Sequence, residues 1–230
     1  MGDLDIDDAN ARVISKGAGA VVVSVDYRLA PQHKYPAAHD DCHTAFTWAL
    51  PHARELGGKE GQAFIAGASA GGGTALSLAL RLIDEGKGDQ VKGVVAQVPV
   101  TVHPAAVPDD LKSRYTSYDE HAEHTVNGKN AMMAFLDAYE APPKDKHLSI
   151  LLHPKTGALP KVYMTAAGHD TLRDDARLMR EQLETNGVEV RYDEYEGLPH
   201  YFWTFPSGKL DKVREDYLQK LVKGTQWVLE

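Results

Sequence analysis

A serine flanked by glycines is the first feature of this chain that could do chemistry. The apolar run 62–66 ends in Gly-Ala-Ser-Ala-Gly at 67–71, with Ser69 at its centre, and a helix-forming run follows. A strand, a sharp turn and a helix in this order lift a serine hydroxyl above the edge of a sheet. We expect Gly67 and Gly71 to leave room for the crossing backbone. The helix would also direct free N–H groups and its positive dipole end at the serine, where an oxyanion would be stabilised. The same pattern also fits a glycine-rich turn in which the serine is a bystander.

Two further polar residues follow later strands of the predicted sheet. Asp170 comes after the apolar run 161–167, and His200 comes after the alternating run 188–195. Because ligands bind beyond the carboxyl ends of parallel strands, we expect both side chains to lie near Ser69. Neutral imidazole can take the proton of a serine hydroxyl near pH 7, and a carboxylate holds the ring in the required tautomer. Taken singly, Asp170 could instead cap the following helix, and His200 could be a packed loop histidine.

Apolar and β-branched runs alternate with helical periodicity along most of the chain. This alternation predicts an α/β fold with a mainly parallel sheet flanked by helices. The predicted strands are a buried one at 20–27, the one before Ser69, a buried one at 91–100, one at 161–167 and one near the sheet edge at 188–195. The predicted helices lie at 6–16, 37–55, from the serine turn to about 84, 131–139, 172–186 and 210–230.

Composition excludes several classes of protein. The 230 residues carry a net charge of −8 without a basic patch, so nucleic acid is not an expected partner. No apolar stretch reaches the roughly 18 residues that span a bilayer. The acidic N-terminus lacks the basic start and apolar core of a signal peptide, so we expect a cytoplasmic protein. The single cysteine, Cys42, lies in a helical pattern and is interpreted as a structural thiol.

The sequence predicts neither a metal nor a cofactor. The segment 39–43, His-Asp-Asp-Cys-His, places two histidines one helical turn apart, as in zinc-binding helices. No third ligand is evident, so this segment is interpreted as a solvated polar helix face. The glycines at 67–73 lack the Lys-Ser/Thr pair of a phosphate-binding loop and the glycine spacing of a dinucleotide turn.

Several stretches together resemble the hormone-sensitive-lipase-like branch of the α/β-hydrolases, which are carboxylesterases and lipases without a cofactor. They are Val23–Pro31, Tyr35–Ala38, Gly67–Gly72, Asp170–Asp174 and Gly197–His200. The resemblance implies a single α/β-hydrolase domain over 1–230, with a cap-like insertion at about 101–150. It implies hydrolysis of a small-molecule ester through an acyl-enzyme, with Ser69 as nucleophile, Asp170 as acid member and His200 as base. The Ala70 N–H would be one oxyanion donor, and the insertion would line the acyl or alcohol pocket.

The sequence also departs from the family pattern. Gln32 stands where the family usually has Glu, and Tyr201 stands where it usually has Gly after the histidine. The chain begins with Met-Gly-Asp where a His-Gly-Gly-Gly motif should end, so it is interpreted as an N-terminally truncated form. The missing glycines would supply the other oxyanion donors, and each lost donor costs about 2.7–4 kcal/mol. The sequence therefore predicts an esterase with an incomplete oxyanion hole.

Two consequences of these departures stay open at the level of the sequence. One alternative to an enzyme is a non-catalytic small-molecule-binding protein on the same fold, although His200 is retained. The absence of the first strands would also leave a sheet edge exposed. We expect either that the strand 20–27 covers this edge or that a second copy of the chain does, as a homodimer.

Overall fold

A parallel sheet of four strands lies at the centre of the chain, which a computed structural model describes for residues 2–123 and 126–230. Its strands, in spatial order, are Phe64–Ala68 (β1), Gly93–Gln97 (β2), Lys161–His169 (β3) and Val190–Pro199 (β4). All three strand pairs are parallel, so the carboxyl ends of the strands lie at one edge of the sheet. The predicted position of the last strand at the sheet edge is confirmed.

Seven α-helices surround this sheet among the described residues. They are Leu4–Ala18 (α1), Ala37–Ala49 (α2), Ala70–Asp84 (α3), Ser117–Glu120 (α4), Lys129–Tyr139 (α5), Arg173–Thr185 (α6) and Asp211–Val228 (α7). The predicted α/β fold with a parallel sheet flanked by helices is confirmed. None of these helices is both long and apolar enough to cross a bilayer, a statement limited to the residues that the structure describes.

The two faces of the sheet are buried by different helices. Met164 of β3 packs in a cluster with the apolar faces of α3 and α6. Its neighbour Tyr163 points to the opposite face, where it packs in a cluster with Tyr217 of α7 and Ile14 of α1. Because successive strand residues alternate between faces, a sheet covered on both sides needs continuous apolar runs, as the sequence shows in β2 and β3. The half-buried Cys42 packs against the first cluster, and burial raises its pKa to about 11, as for an unreactive structural thiol.

The prediction of a buried strand at 20–27 is wrong. This segment forms no strand, and Val21, Val22 and Val23 expose 44%, 36% and 42% of their surface. It lines a cavity of about 1510 Å³ that β1 also lines, and its backbone is not paired with β1. A β-branched run has high strand propensity, but it becomes a strand only where its backbone finds a hydrogen-bonding partner. The expectation that this segment completes the sheet is therefore wrong as well.

The segment at 101–150 connects β2 to β3, and its described residues, 101–123 and 126–150, add no strand to the sheet. It holds α4, α5 and short 3₁₀ turns, which include Pro104–Ala106 and Lys112–Arg114. Its assignment as a cap-like insertion in a single domain over 1–230 stays a prediction. Side chains of this segment line the same cavity as Ser69.

Candidate active site

Ser69 occupies a strained turn between a strand and a helix. β1 ends at Ala68, α3 begins at Ala70, and Ser69 between them has φ 56° and ψ −120°. A side chain at such a positive φ costs about 1–3 kcal/mol, which the surrounding structure must offset. Three backbone hydrogen bonds hold the turn: Ser69 N–H donates to the Gln97 carbonyl at 2.8 Å, and the Ser69 carbonyl accepts from the N–H groups of Gly73 and Val100 at 3.1 and 3.2 Å. The turn is thus fixed before any ligand arrives.

The two glycines beside Ser69 have different roles. A Cβ atom at Gly67 would lie 2.3 Å from the Gly71 carbonyl oxygen, so only glycine fits there. A Cβ atom at Gly71 would meet no atom within 4 Å outside its own helix and chain neighbours. The expectation that both glycines make room for the crossing backbone is therefore right for Gly67 and wrong for Gly71. Gly71 lies in the first turn of α3, whose start faces the cavity.

A matched pair of variants tests this difference. We expect Gly67→Ala to lower the free energy of unfolding by about 2–3 kcal/mol, because the backbone atoms that the methyl group meets cannot move aside cheaply. We expect Gly71→Ala to leave it unchanged or to raise it by up to about 1 kcal/mol, since alanine is favoured over glycine in a helix. Urea denaturation of both variants measures the difference. Equal stability of the two variants would contradict the close approach at Gly67.

The structure brings Ser69, Asp170 and His200 into one hydrogen-bonded chain. The Nε2 atom of His200 lies 3.0 Å from the Ser69 Oγ, and its Nδ1 atom lies 2.6 Å from the Asp170 Oδ2. Asp170 follows β3 and His200 follows β4, so both stand at the sheet edge where β1 delivers Ser69. His200 is 3% exposed and Asp170 is fully buried. This arrangement can pass the proton of a serine hydroxyl to an imidazole that a carboxylate holds in place.

Asp170 is ionised by its partners although it is buried. Burial alone would raise its pKa, but the charge and hydrogen bond of His200, with donors from Asn127 and the Leu172 N–H, lower it below the ordinary value. The Asn127 Nδ2 and the Leu172 N donate to Oδ1 at 2.7 and 2.9 Å. The bond from Leu172 closes a turn just before α6, whose N-cap residue is Leu172 and which has no side-chain cap, so the alternative interpretation of Asp170 as a helix cap is wrong. The two oxygens of the carboxylate have different partners.

Two residues that sequence reasoning missed stand behind this group. Asn127 comes from the 101–150 segment, and no motif or periodicity marks it. Asp175, in α6, is fully buried; its Oδ1 accepts from the N–H groups of Thr101 and Val102 at 2.8 and 3.1 Å. Its Oδ2 lies 2.7 Å from the Tyr115 hydroxyl. The pair of carboxylates at 174–175 directly after the Asp170 segment was a signal that could have directed attention to it.

Burial of Asp175 should make stability depend on pH. Burial raises the pKa of this carboxyl from 3.8 to about 7, against the hydrogen bonds that it accepts. The folded chain then binds a proton that the unfolded chain has released, so the free energy of unfolding falls as pH rises from about 4 to about 7. Asp175→Asn keeps the acceptor for the two N–H groups and cannot ionise. We expect it to be more stable than wild type by roughly 1–3 kcal/mol at pH 8.

Measuring stability over a series of pH values distinguishes the titration of Asp175 from that of the other ionisable groups. The stability difference between Asp175→Asn and wild type should shrink as pH falls towards 4, measured by urea denaturation at intervals of pH. The exposed Asp110→Asn is the control, since its carboxyl is open to solvent and its stability difference should stay flat. A constant difference for Asp175→Asn across this range would show that the carboxyl is ionised in the folded chain.

The segment 39–43 does not gather its side chains around one point. His39 is buried with its ring against Tyr35, whereas His43 Nε2 lies 3.0 Å from a Glu85 carboxylate oxygen. The intervening Asp40 pairs with Arg81 at 2.7 Å. These residues thus have partners within the protein, and the absence of a metal from the segment stays a prediction.

Another cluster has the composition of a metal site. Asp84, His147 and His153 bring ligand atoms within 4.8 Å of one another. However, Lys146 and Lys155 already hold the Asp84 carboxylate at 2.7 and 2.9 Å. The His153 Nδ1 accepts from the Lys155 N–H at 3.1 Å, so a neutral ring carries its proton on Nε2, the atom that faces Asp84. This proton and the two lysines suit an ion-pair cluster better than a metal centre.

Ser69 opens into the cavity of about 1510 Å³. The N-terminal turn of α3, His200 and Tyr201 line it, and so do α1 and the segment at 20–31. The 101–150 segment contributes apolar side chains that include Met132, Phe135 and Leu136 of α5. The cavity can therefore hold an apolar ligand of considerable size beside the serine hydroxyl.

Comparison with known proteins places these features in a family. A family model described as the alpha/beta hydrolase fold matches residues 1–204. The versiconal hemiacetal acetate esterases of Aspergillus parasiticus and Emericella nidulans are 46% and 47% identical to this chain over 229 and 232 residues. These alignments cover 99% and 100% of this chain and 71% and 79% of the esterases. An FAD-linked oxidoreductase of Aspergillus terreus is 48% identical over 228 residues, but this chain spans only 28% of its length.

Solved structures agree with the sequence relatives. The crystal structure of vibralactone cyclase superposes with a TM-score of 0.92 at 29% identity, over 99% of this chain and 67% of that one. An esterase of Pyrobaculum calidifontis superposes with a TM-score of 0.88 at 29% identity, over 99% of this chain and 72% of that one. The assignment rests on the family model and on the esterase relatives. It agrees with the strained serine turn and the hydrogen-bonded Ser-His-Asp chain. This chain belongs to the α/β-hydrolase family, in its hormone-sensitive-lipase-like branch.

Proposed function

We propose that this chain hydrolyses a carboxylic ester through an acyl-enzyme on Ser69. The observation that carries the proposal is the hydrogen-bonded chain from the Ser69 Oγ through His200 to the buried Asp170, in which Ser69 and His200 line an apolar cavity. Relatives named as esterases support it. The His200 Nε2 is the one side-chain group among the described residues that lies within hydrogen-bond distance of that hydroxyl, so it is the base that can take the serine proton.

The reaction runs in two halves. His200 takes the Ser69 proton while the Oγ attacks the ester carbonyl carbon, and Asp170 stabilises the imidazolium. The tetrahedral intermediate collapses, the C–O bond to the alcohol breaks, and His200 returns the proton to the leaving alkoxide. A water molecule then gives a proton to His200 and attacks the acyl carbon. The bond from that carbon to the Ser69 Oγ breaks, His200 returns the proton to Oγ, and the carboxylic acid leaves. No step needs a cofactor.

The oxyanion of the intermediate would lie at the start of α3. Ala70 is the first residue of this helix, and the first amide groups of a helix have no partner within it. We assign the Ala70 N–H as one oxyanion donor, assisted by the positive end of the helix dipole.

The cavity and the relatives favour one class of substrate. We propose a small acyl group on a larger apolar alcohol, because the cavity beside Ser69 is large and lined by apolar side chains of α5. The relatives named as versiconal hemiacetal acetate esterases favour acetate as the acyl group. We retain as proposals a cytoplasmic location, no binding of nucleic acid at a net charge of −8, and a homodimer that covers the outer edge of β1.

Two measurements on the purified chain test the function. Hydrolysis of p-nitrophenyl acetate should exceed that of the heat-denatured chain, and a fluorophosphonate should add one label, located on Ser69 by peptide mass spectrometry. Excess p-nitrophenyl acetate should protect Ser69 from the label. A chain that neither hydrolyses the ester nor takes up the label would be a binding protein on this fold, and the proposal would be wrong.

A further inference from the structure

Asn127 lies at the back of the Ser-His-Asp chain, on a segment remote from all three residues in sequence. Its side chain is 3% exposed, and its Nδ2 donates to the Asp170 Oδ1 at 2.7 Å. The Asp170 Oδ2 is the oxygen that faces His200, at 2.6 Å from its Nδ1. The two oxygens of the carboxylate thus have different partners: Oδ2 faces His200, and Oδ1 accepts the hydrogen bond from Asn127.

The backbone of Asn127 is also tied to the start of α6. The Thr171 hydroxyl donates to the Asn127 carbonyl at 2.9 Å, and the Ser117 hydroxyl donates to the Thr171 carbonyl at 2.6 Å. These bonds connect the 101–150 segment to Thr171, the residue that follows Asp170. The backbone of Asn127 is therefore held by a hydrogen bond that does not involve its side chain.

The other end of the Asn127 amide argues against a purely structural role. Its Oδ1 is buried and has no hydrogen-bond partner among the residues that the structure describes. An unpaired buried acceptor is destabilising, so a side chain selected only for stability would satisfy both ends. The reverse orientation of the amide would set its oxygen against the ionised Asp170. The observed orientation directs the NH₂ group of Asn127 at the carboxylate, beside the N–H of Leu172.

We infer that Asn127 is a positioning residue of the site: its amide N–H fixes the Asp170 carboxylate so that Oδ2 remains aimed at His200. The effect of Asn127 on turnover rests on the proposed function, whereas its effect on the geometry of Asp170 does not. A hydrogen bond to a charged group is worth enough to change a rate by about 10- to 100-fold. Asn127 does not touch the reacting atoms and acts only through Asp170.

Two variants and a control test the inference by kinetics. Asn127→Ala removes the donor, and Asn127→Asp replaces it with a second carboxylate against Asp170. We expect kcat/KM at pH 7.5 to fall by about 10- to 100-fold in Asn127→Ala and further in Asn127→Asp. Asn130→Ala, at an exposed position of α5, should keep wild-type activity.

The pH profile separates positioning from a folding defect. A carboxylate that loses a donor, or gains a negative neighbour, makes the His200–Asp170 pair hold its proton more tightly. The acidic limb of the kcat/KM profile should therefore move to higher pH in Asn127→Ala and further in Asn127→Asp. Asp175 and Tyr118, two groups whose pKa values the charge of Asp170 raises, are unchanged in both variants. A uniform loss at every pH, with the limb in place, would mean that Asn127 is only structural.

A readout without turnover distinguishes this inference from the proposed function. The proton in the short bond between the His200 Nδ1 and Asp170 should give a low-field NMR signal, assigned by its loss in His200→Ala. That signal should shift in Asn127→Ala and stay in place in Asn130→Ala. If the wild-type chain hydrolyses no ester and the signal still shifts, the function is wrong and the positioning role stands. A signal that is unchanged in Asn127→Ala would overturn the positioning role.

Discussion

Ser69→Ala is expected to lower kcat for p-nitrophenyl acetate by about 10⁴- to 10⁶-fold. Without Oγ no acyl-enzyme forms, and only binding and the start of α3 remain to assist direct attack by water. We expect KM to change little, because the hydroxyl contributes to the transition state far more than to binding of the ester. Initial rates of the purified variant, measured beside the uncatalysed rate, give both constants.

Matched variants make this loss specific to Oγ. Ser113→Ala removes a serine hydroxyl from an exposed 3₁₀ turn and should keep the wild-type rate. Ser69→Gly should be as inactive as Ser69→Ala but more stable by about 1 kcal/mol, since glycine adopts a φ of 56° without strain. A Ser69→Ala rate equal to that of wild type would show that the hydrolysis proceeds elsewhere on the protein. Equal stability of the two variants would show that the turn stores no strain.

The proximity of Ser69, Asp170 and His200 could be predicted from the sequence because each of them follows the end of a strand. Each residue follows an apolar run, and the runs before them form β1, β3 and β4 of one parallel sheet. Parallel pairing places the carboxyl ends of these strands at one edge, whatever the details of packing. Strand order does not predict the hydrogen-bond distances, such as 2.6 Å between the His200 Nδ1 and the Asp170 Oδ2.

Where the sequence misled, the missing information was tertiary. The run at 20–27 has the composition of a buried strand, but composition cannot show whether a neighbouring strand edge is within reach. Gly71 has the same residue type as Gly67, yet only the Gly67 position faces a crossing carbonyl. Asn127 lies in a segment without periodicity, so its approach to Asp170 depends on how that segment folds over the sheet. Such contacts between distant residues leave no local pattern.

Asp170→Asn is expected to lower kcat/KM by about 10⁴-fold while the fold is kept. The reason lies in the two donors behind the carboxylate. The Asn127 Nδ2 and the Leu172 N both donate to Oδ1, so the new amide must keep its oxygen on that side. Its NH₂ group then faces the His200 Nδ1, which has to accept a hydrogen bond. A neutral ring in that state carries its proton on Nε2 and cannot take the proton of Ser69.

The same argument predicts how the loss varies with pH. Hydroxide can replace the missing base, so the rate of Asp170→Asn should keep rising above pH 9, where the wild-type rate has levelled off. Asp137→Asn, at an exposed position of α5, should follow the wild-type profile and controls for the loss of a negative charge. A loss of less than about 10-fold for Asp170→Asn at pH 7.5 would mean that the His200 tautomer is set by another contact. The orientation imposed by Asn127 and Leu172 would then have no part in catalysis.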